Sequence, residues 1–594
     1  MKLAHVQLRE TFNKFWARLD HKNVAPISLV PKEDPSTLFT GSGMQPLIPY
    51  LLGEPHPLGK KLYNIQPCFR SQDIARVGDN RHTTFFEMMG NWSLGTYFKK
   101  EQIPWMWNFF THQLGLAKEK LFISVFEGYK DIAGDAESLT VWKKLGIQKD
   151  HLFAYGVDKN WWSRSGVPEA MPAGEPGGPD TEIFYQFDHI KHDKRFGDKC
   201  HPNCECGRFL EIGNCVFMQY KKNADGTFSD LPNKNVDFGG GLERILAAVV
   251  DTPDVFAIDV FSEIIKSIEA YTGQSYLKGA NQSAIRIIAD HLKAATFLIH
   301  NRVYPSNKQQ GYILRRLLRR AAVKFNKLTG AVGTFSGLDF KIILESIIDT
   351  YKGVYFETAD LKKIIPVVVE EMDRFGKTVR NGLREIEKLN KIDGKIAFDF
   401  YQSYGFPLEI TEELLRDKGQ TINRAQFYSE FDKHKNLSRT ASAGKFKGGL
   451  ANQSKQTIRY HTATHLIHQA LFDVFGNVRQ EGSNITAERL RFDFYCEQKV
   501  TQEDISKVEQ IVNAKIKEGM PVNFKMLSKE EAIKIGARAF FKEKYADQVK
   551  VYFIGDYSKE LCGGPHVQNT KEVGTVTIYK FEKIGSNLYR LYAK

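Results

Sequence analysis

The chain reads as an α+β protein of several domains, and three stretches carry that reading. Between Gln66 and Trp92, QPCFRSQDIARVGDNRHTTFFEMMGNW, two aromatic strand-like segments bracket a basic loop of turn formers, the pattern of a β-hairpin. From Val236 to Ala248, VDFGGGLERILAA, a carboxylate precedes three glycines and a helical pattern follows. Beyond Asp254 the pattern stays helical through FAIDVFSEIIKSIEAY, AIRIIADHLKAATFLI and IIPVVVEEMDRFGKTVRNGLREIEKLN. A length of 594 residues leaves room for about three or four domains.

Bulk properties narrow the classes of function. Lys plus Arg outnumber Asp plus Glu by 83 to 70, a net charge of +13 that favours a polyanionic partner. No apolar run is long enough to span a membrane, and MKLAHVQLRE lacks the apolar core of a signal peptide, so a soluble, cytoplasmic protein is expected. Seven cysteines, three of them crowded between Cys200 and Cys206, suit reduced thiols or metal ligation better than a disulfide framework.

In chain order, AHVQLRETFNKFWARLD sets Val6, Phe12, Phe15, Trp16 and Leu19 at near-helical intervals, which predicts an amphipathic first helix. Prolines and glycines then break regular structure through VPKEDPSTLFTGSGMQPLIPYLLGE. In the hairpin, Arg70 closes the first segment, Arg81 and His82 open the second, and an extended Thr83–Met89 puts Phe85 and Phe86 on opposite faces. A guanidinium fork grips phosphate and an aromatic face carries a base, so one reading is a nucleotide site; the other is a plain hairpin with a solvated loop. Phe98–Leu114 and Asp135–Leu145 read as helices, and LFISVF at 121–126 as a strand. Asn160–Tyr185, NWWSRSGVPEAMPAGEPGGPDTEIFY, is too long and too rich in Gly and Pro for a bare connector, which marks it as a loop serving a site. Its Trp pair would serve a core equally well.

Cys200, His201, Cys204 and Cys206 of KCHPNCECG offer three thiolates and an imidazole, enough for a tetrahedral zinc site. Their spacing is not that of a common zinc knuckle, and unligated thiols fit it too. EIGNCVFMQY alternates like a buried strand with Glu211 and Asn214 as its polar members. In the glycine segment, Asp237 precedes the glycines and Arg244 lies in the first turns of the helix; glycines admit a ligand to the backbone, and a helix start favours negative charge. Asp237 could also serve as a turn or capping residue.

The most basic segment is GYILRRLLRRAAVKFNK at 311–327. Ile313, Leu314, Leu317, Leu318 and Ala321 form an apolar stripe, leaving Arg315, Arg316, Arg319 and Arg320 as two pairs at i, i+4 spacing, either a solvated face or a phosphate-reading one. KHKNLSRTASAGKFKGGLANQSK has the composition of a linker. After it, HTATHLIHQALFDVF sets His461 and His465 one helical turn apart, and LCGGPHV adds Cys562 and His566. These make a four-ligand zinc set, or three ligands with a position for water. His468 continues the same helical face.

FR, a loop and RHTTFFEM, followed much later by GGGLER, resemble motifs 2 and 3 of class II aminoacyl-tRNA synthetases, and TTFFEMMGNWSLGTYFK is close to the wording of the alanyl-tRNA synthetase family. The resemblance spans nearly the whole chain. It implies a class II antiparallel sheet flanked by helices in an aminoacylation domain over 1–250, an all-α tRNA-recognition domain over 251–435, a linker over 436–456 and an α+β editing domain over 457–594. The implied activity is ATP-dependent conversion of alanine to alanyl-adenylate and its transfer to the 3′ end of tRNA(Ala), with hydrolysis of mischarged Ser- and Gly-tRNA(Ala). A synthetase for another small amino acid and a stand-alone aminoacyl-tRNA deacylase are the rivals.

By resemblance, Arg70 serves the α-phosphate, Arg81 and Arg244 the outer phosphates, Phe86 the adenine, Gly239 and Gly241 close backbone approach, and Glu211 the Mg²⁺ that accompanies ATP. Trp162, Asn214 and Asp237 are implied for alanine, with Arg70, Arg244 and Asp237 central to catalysis. Asn307 of YPSNKQQG, the four arginines at 315, 316, 319 and 320, and Gln402 are implied for tRNA. FYQSYGFP has Gln402 where the family phrase carries Asp, and an amide, unlike an ionised carboxylate, both donates and accepts, so the family's readout of the acceptor-stem G·U pair does not carry over unchanged. His461, His465, Cys562 and His566 inherit an editing-site zinc. The stretch between YGFP and HTATH is too short for the β-barrel of long members, and the chain stops at NLYRLYAK where they continue into a C-terminal domain; a monomer lacking both is expected.

Overall fold

The computed structural model describes residues 4–31, 37–330, 336–389, 392–416, 419–443, 454–538, 548–585 and 587–594. They form two units, Met1–Glu385 and Ile386–Lys594. The first unit is built on nine strands gathered from distant parts of the chain. These are β1 (Lys22–Asn23), β2 (Lys61–Phe69), β3 (Phe85–Leu94), β4 (Leu121–Phe126), β7 (Leu152–Tyr155), β8 (Trp161–Ser163), β9 (Pro176–Gln186), β10 (Phe209–Lys222) and β11 (Phe228–Gly241), while β5 (Gly128–Tyr129) and β6 (Ile132–Ala133) make a separate small hairpin. The sheet runs β1-β2-β3-β11-β10-β9-β4-β7, with β8 on β9. Its central neighbours are antiparallel, and only the outer pairs β1·β2 and β4·β7 are parallel.

Burial decides where the local patterns were misleading. The first helix, His5–Arg18, buries Leu8, Phe12, Phe15 and Trp16, but Val6 is 45% exposed because it lies off that stripe. The helix Lys99–Asn108 finishes in a π turn, Phe109–Gln113. The Gly- and Pro-rich stretch expected to be loop is strand from Pro176 onward. Gly178 allows this: a Cβ there would stand 2.0 Å from the Phe217 carbonyl oxygen, so only glycine lets β9 lie against β10 where their register shifts between Val216 and Tyr220.

Helices Asp259–Thr272, Gly279–His300, Gln309–Thr329, Lys341–Thr350, Leu361–Lys388, Gly394–Tyr404, Leu408–Arg416 and Arg424–Ala443 follow, and among the described residues no strand intervenes before Val478. The last of these helices runs into the stretch expected as linker, of which 444–453 lie outside the described residues. In Gln309–Thr329 the apolar stripe is buried as its spacing requires, but Arg320 is buried too, at 7% exposure. Its guanidinium donates to the carbonyl oxygens of Ile74 (2.7 Å) and Val77 (3.3 Å) in the hairpin loop and contacts His291 Nε2 at 3.0 Å. The expectation of an outward basic face therefore fails for Arg320, because this turn of the helix packs under the loop after β2. Arg320→Ala, which strands two buried carbonyls, is expected to cost about 2 kcal/mol of stability, read as a lower denaturant midpoint with unchanged m-value.

The second unit packs helices Lys455–Phe475 and Gln502–Glu518 against a four-stranded antiparallel sheet of Val478–Ile485, Leu490–Cys496, Leu588–Ala593 and Ile578–Gly585. Leu466, Ile467 and Ala470 share one buried core with Phe492, Phe494, Leu591, Val508 and Val512. A second, three-stranded sheet holds Val522–Ser528, Gln548–Ile554 and Ser558–Leu561.

Candidate functional site

In the first unit, β3 and β11 lie side by side, with Gly241 opposite Met88 and Gly239 opposite Gly90, and β10 flanks β11 with Asn214 opposite Gly239. This register brings the hairpin and the glycine segment to one cavity of about 150 Å³, lined by Arg70, Arg81, Phe86, Glu211, Gly239 and Arg244 among others. Phe85 points the other way and stacks on Phe297, as alternation along an extended strand demands. Arg70 lies 4.8 Å from the Phe86 ring centroid, and its Nε donates to the Gly41 carbonyl at 3.1 Å. Arg244 Nη1 donates to the Glu211 carboxylate at 3.0 Å, and Arg81 Nη2 to the Glu205 carbonyl at 3.2 Å. Gly239 and Gly241 border the cavity, while the glycine between them is the tightly held one: a Cβ on Gly240 would meet the Ile212 carbonyl oxygen at 2.9 Å.

Arg70 also borders a second cavity of about 420 Å³, whose lining includes Gly41, Gln45, Trp162 and Arg164. The three residues implied for alanine do not all reach one lining. Asp237 is half-buried and accepts a hydrogen bond from Trp92 Nε1 at 2.6 Å; burial pushes its carboxyl up to about 7 against that bond. Asn214 hydrogen-bonds the Asp180 carboxyl, leaving its own Oδ1 buried without a partner. Glu211 and Asn214 are three apart and would face opposite ways on a regular strand. The register shift between Glu211 and Gly213 turns both toward Asp180.

Asp180, Glu182 and Asn160 escaped the sequence reading. Asn160 Nδ2 donates to Asp180 Oδ1 (2.9 Å) and Ser124 Oγ (2.8 Å), and burial, with Glu211 nearby, holds the Asp180 carboxyl up at about 7. The available signal was the spacing Asp180–Glu182 in GPDTEIFY, which puts two carboxylates on one face of a strand.

The Cys200 cluster also differs from expectation. His201 turns away, its Nδ1 3.0 Å from Tyr155 Oη, and His192 takes its place beside the three thiols. The imidazole that is nearest in sequence is thus replaced by one from the turn after β9, brought in by the antiparallel pairing of β9 with β10.

Among the residues that the sequence resemblance implies for tRNA, Arg315 donates to the Asn307 side chain, and Arg315 and Arg319 pair with Glu371 at 3.1 and 2.9 Å. Arg316 is half-buried on the same helix, and Gln402 is exposed on Gly394–Tyr404.

In the second unit, His461, His465, Cys562 and His566 come together with one ligand atom each, all within 4.8 Å of one another. Ser454 caps the histidine helix, accepting from the Thr457 backbone, and the Ser558–Leu561 strand leads into the CGGPH turn. Gly564 permits the approach: a Cβ there would stand 2.2 Å from His461 Cε1. The donor set fits zinc. His566 Nε2 is buried with no hydrogen-bond partner, and burial holds that imidazole neutral, its pKa down at about 3. Burial opposes ionisation of Cys562, but the adjoining imidazoles of His461 and His465 hold its thiol at about 3. Glu560, which the sequence reading did not single out, accepts from Nδ1 of both His465 and His468 and so commits His465 Nε2 to the cluster. His468 is bound up with Glu560 and stays outside the ligand set.

Comparison with known proteins shows the family to which the chain belongs. A family model described as tRNA synthetases class II (A) matches residues 7–508, and one described as the threonyl and alanyl tRNA synthetase second additional domain matches 549–592. An alanine-tRNA ligase of Treponema denticola is 45% identical over 609 residues, covering 99% of this chain and 98% of that protein, and one of Borreliella afzelii is 43% identical over 602 residues with 99% and 98% covered. One from Petrotoga mobilis is 33% identical over 715 aligned residues, 99% of this chain and 79% of that protein; the alignment exceeds this chain's own length, so that relative carries internal residues without a counterpart here. By matched models and by full-length similarity alike, the chain belongs to the alanine-specific family of class II aminoacyl-tRNA synthetases.

Proposed function

We propose that the chain joins alanine to tRNA(Ala) in the first unit and hydrolyses mischarged Ser- and Gly-tRNA(Ala) in the second. The observation that carries the ligase reading is that Arg70, just past the end of β2, and Arg244, on the helix Leu242–Val249, distant in sequence, open on one cavity that Phe86 of β3 also lines. An alanine carboxylate oxygen attacks the α-phosphorus of ATP and pyrophosphate leaves; the terminal ribose hydroxyl of tRNA then attacks the alanyl carbonyl and AMP leaves. Both steps call for positioning and charge neutralisation rather than a side-chain nucleophile.

In this assignment Arg70 takes the α-phosphate, Arg81 and Arg244 the outer phosphates, and Phe86 the adenine face. Gly239 and Gly241 admit the nucleotide to the backbone. Glu211 supplies the hard oxygen that Mg²⁺ prefers. Its carboxylate holds Arg244 in this structure, so nucleotide phosphates must draw Arg244 away as they enter. Trp162 and Asn214 shape the amino-acid side, and Asp237 receives the alanine ammonium. Asn307, Arg315, Arg316, Arg319 and Gln402 are assigned to tRNA, and Arg320 to supporting the hairpin loop.

Asp237 gives this assignment a pH test. A carboxyl raised to about 7 is neutral below that pH and then cannot pair with an ammonium. kcat/KM for alanine in pyrophosphate exchange is therefore expected to fall about tenfold per pH unit below pH ~7, with KM for ATP much less affected. Asp237→Asn should be weak at every pH and lose that slope; a variant retaining it would remove Asp237 from the ammonium site.

The editing assignment rests on His461, His465, Cys562 and His566. When bound there, zinc supplies positive charge beside the ester to be cleaved. The four side chains hold it, and Glu560 fixes the orientation of one of them.

A further inference from the structure

We infer that His192, Cys200, Cys204 and Cys206 bind a second zinc ion, and that this ion holds Arg81 in the nucleotide cavity through the backbone carbonyl of Glu205. The inference rests on the assignment of Arg81 to the outer phosphates of ATP.

The four side chains bring one ligand atom each to within 4.8 Å of one another. Cys200 Sγ lies 3.6 Å from Cys206 Sγ, and Cys204 Sγ 3.7 Å from His192 Nδ1. The sulfurs are too far apart for a disulfide, whose S–S bond is about 2.05 Å, and all three cysteines are free. Three thiolates and one imidazole are a closed structural donor set for zinc, and soft sulfur ligands select it over the hard cations. The ligands come from two arms of one connection. His192 follows β9, the cysteines precede β10, and the arms close where the Phe187 N–H donates to the Arg208 carbonyl at 2.8 Å.

The link to the nucleotide cavity is short. Glu205 sits between two of the ligands, Cys204 and Cys206, so a metal on both fixes the intervening peptide. The carbonyl of that residue accepts from Arg81 Nη2 at 3.2 Å. Gly207 follows at φ +91°, in the left-handed region, and a Cβ on it would lie 3.2 Å from the same Arg81 nitrogen. Arg81 is thus held from the loop that carries the thiols and lines the same cavity as Arg244. The Glu205 carbonyl is the point where the thiol loop meets the Arg81 guanidinium, so the loop's position and the guanidinium's are linked. His192, Cys200, Cys204 and Cys206 are accordingly positioning residues for ATP.

The test uses the full chain purified without chelator, with zinc measured by mass spectrometry and steady-state pyrophosphate exchange as the readout. The wild type is expected to bind zinc at both clusters, and Cys206→Ser and His192→Asn to bind half as much, whereas His201→Asn keeps all of it. Both ligand variants should raise KM for ATP about tenfold and leave KM for alanine within about twofold. In an Arg81→Ala background the added Cys206→Ser should change KM for ATP by less than about twofold, since the group it positions is gone. Retained serine deacylation and the remaining zinc report a folded chain in each variant, and two different ligand substitutions guard against a folding defect peculiar to either. Full zinc retained in Cys206→Ser, an unchanged KM for ATP despite zinc loss, or an undiminished increase in the Arg81→Ala background would overturn the inference. A wild-type chain with no alanine-dependent exchange would instead sink the ligase assignment beneath it.

Discussion

Arg70→Ala is expected to lower alanine-dependent pyrophosphate exchange about 10²- to 10³-fold, the usual loss for one preorganised charge at a reacting centre, while leaving Ser-tRNA(Ala) hydrolysis intact. Several contacts preorganise this guanidinium. The Arg70 N–H donates to the Thr84 carbonyl at 2.9 Å, tying together the two strands of the hairpin, and the Nε donation to Gly41 leaves the paired Nη groups for a phosphate. Arg70 borders both the nucleotide cavity and the larger cavity that holds Trp162, which is where a group bonding ATP to alanine has to stand. Arg70→Lys should recover only part of the activity, because an ammonium cannot make the two-point contact of a fork. Loss of exchange and hydrolysis together in a folded variant would show that the two activities do not occupy separate sites.

Cys562→Ser should give the converse result: loss of the editing-cluster zinc and at least about a 10²-fold fall in Ser-tRNA(Ala) hydrolysis, with exchange unaffected. Serine is a weaker ligand for zinc than the thiolate that His461 and His465 stabilise at position 562. Glu560→Gln should have an intermediate effect, about 10- to 100-fold in metal affinity, since it orients His465 without being a ligand. The need for this second activity is energetic. A pocket shaped for alanine rejects glycine or serine only about 10- to 200-fold, because the difference is one methyl or one hydroxyl, and hydrolysis elsewhere must supply the rest. A Cys562→Ser chain that kept its zinc and hydrolysed Ser-tRNA(Ala) at the normal rate would exclude the quartet as the editing centre.

How far the site could be read in advance depended on the range of the interactions that build it. His461 and His465 are one helical turn apart, so local spacing puts them on one face, and Cys562 and His566 lie in one short loop whose CGGPH glycines announce a close approach. The opposite facing of Phe85 and Phe86 follows from strand alternation in the same way. Arg320 is the contrary case. Its helical position looked like its neighbours', and only the packing of the hairpin loop above it made it a buried support.

Residue types and short spacings by themselves thus determined the multidomain α+β class, the guanidinium and aromatic inventory of the hairpin, and the two separate ligand pairs of the second unit, because helix and strand periods are local properties of the chain; only the fold brought those pairs together. Tertiary structure alone decided that His192 and not His201 joins the thiols, that Glu211 and Asn214 turn to one side, and that Glu560 backs the histidine cluster. Each of those depends on strand pairing, a register shift or a long-range contact, and a one-residue change in register reverses every facing without altering the local pattern.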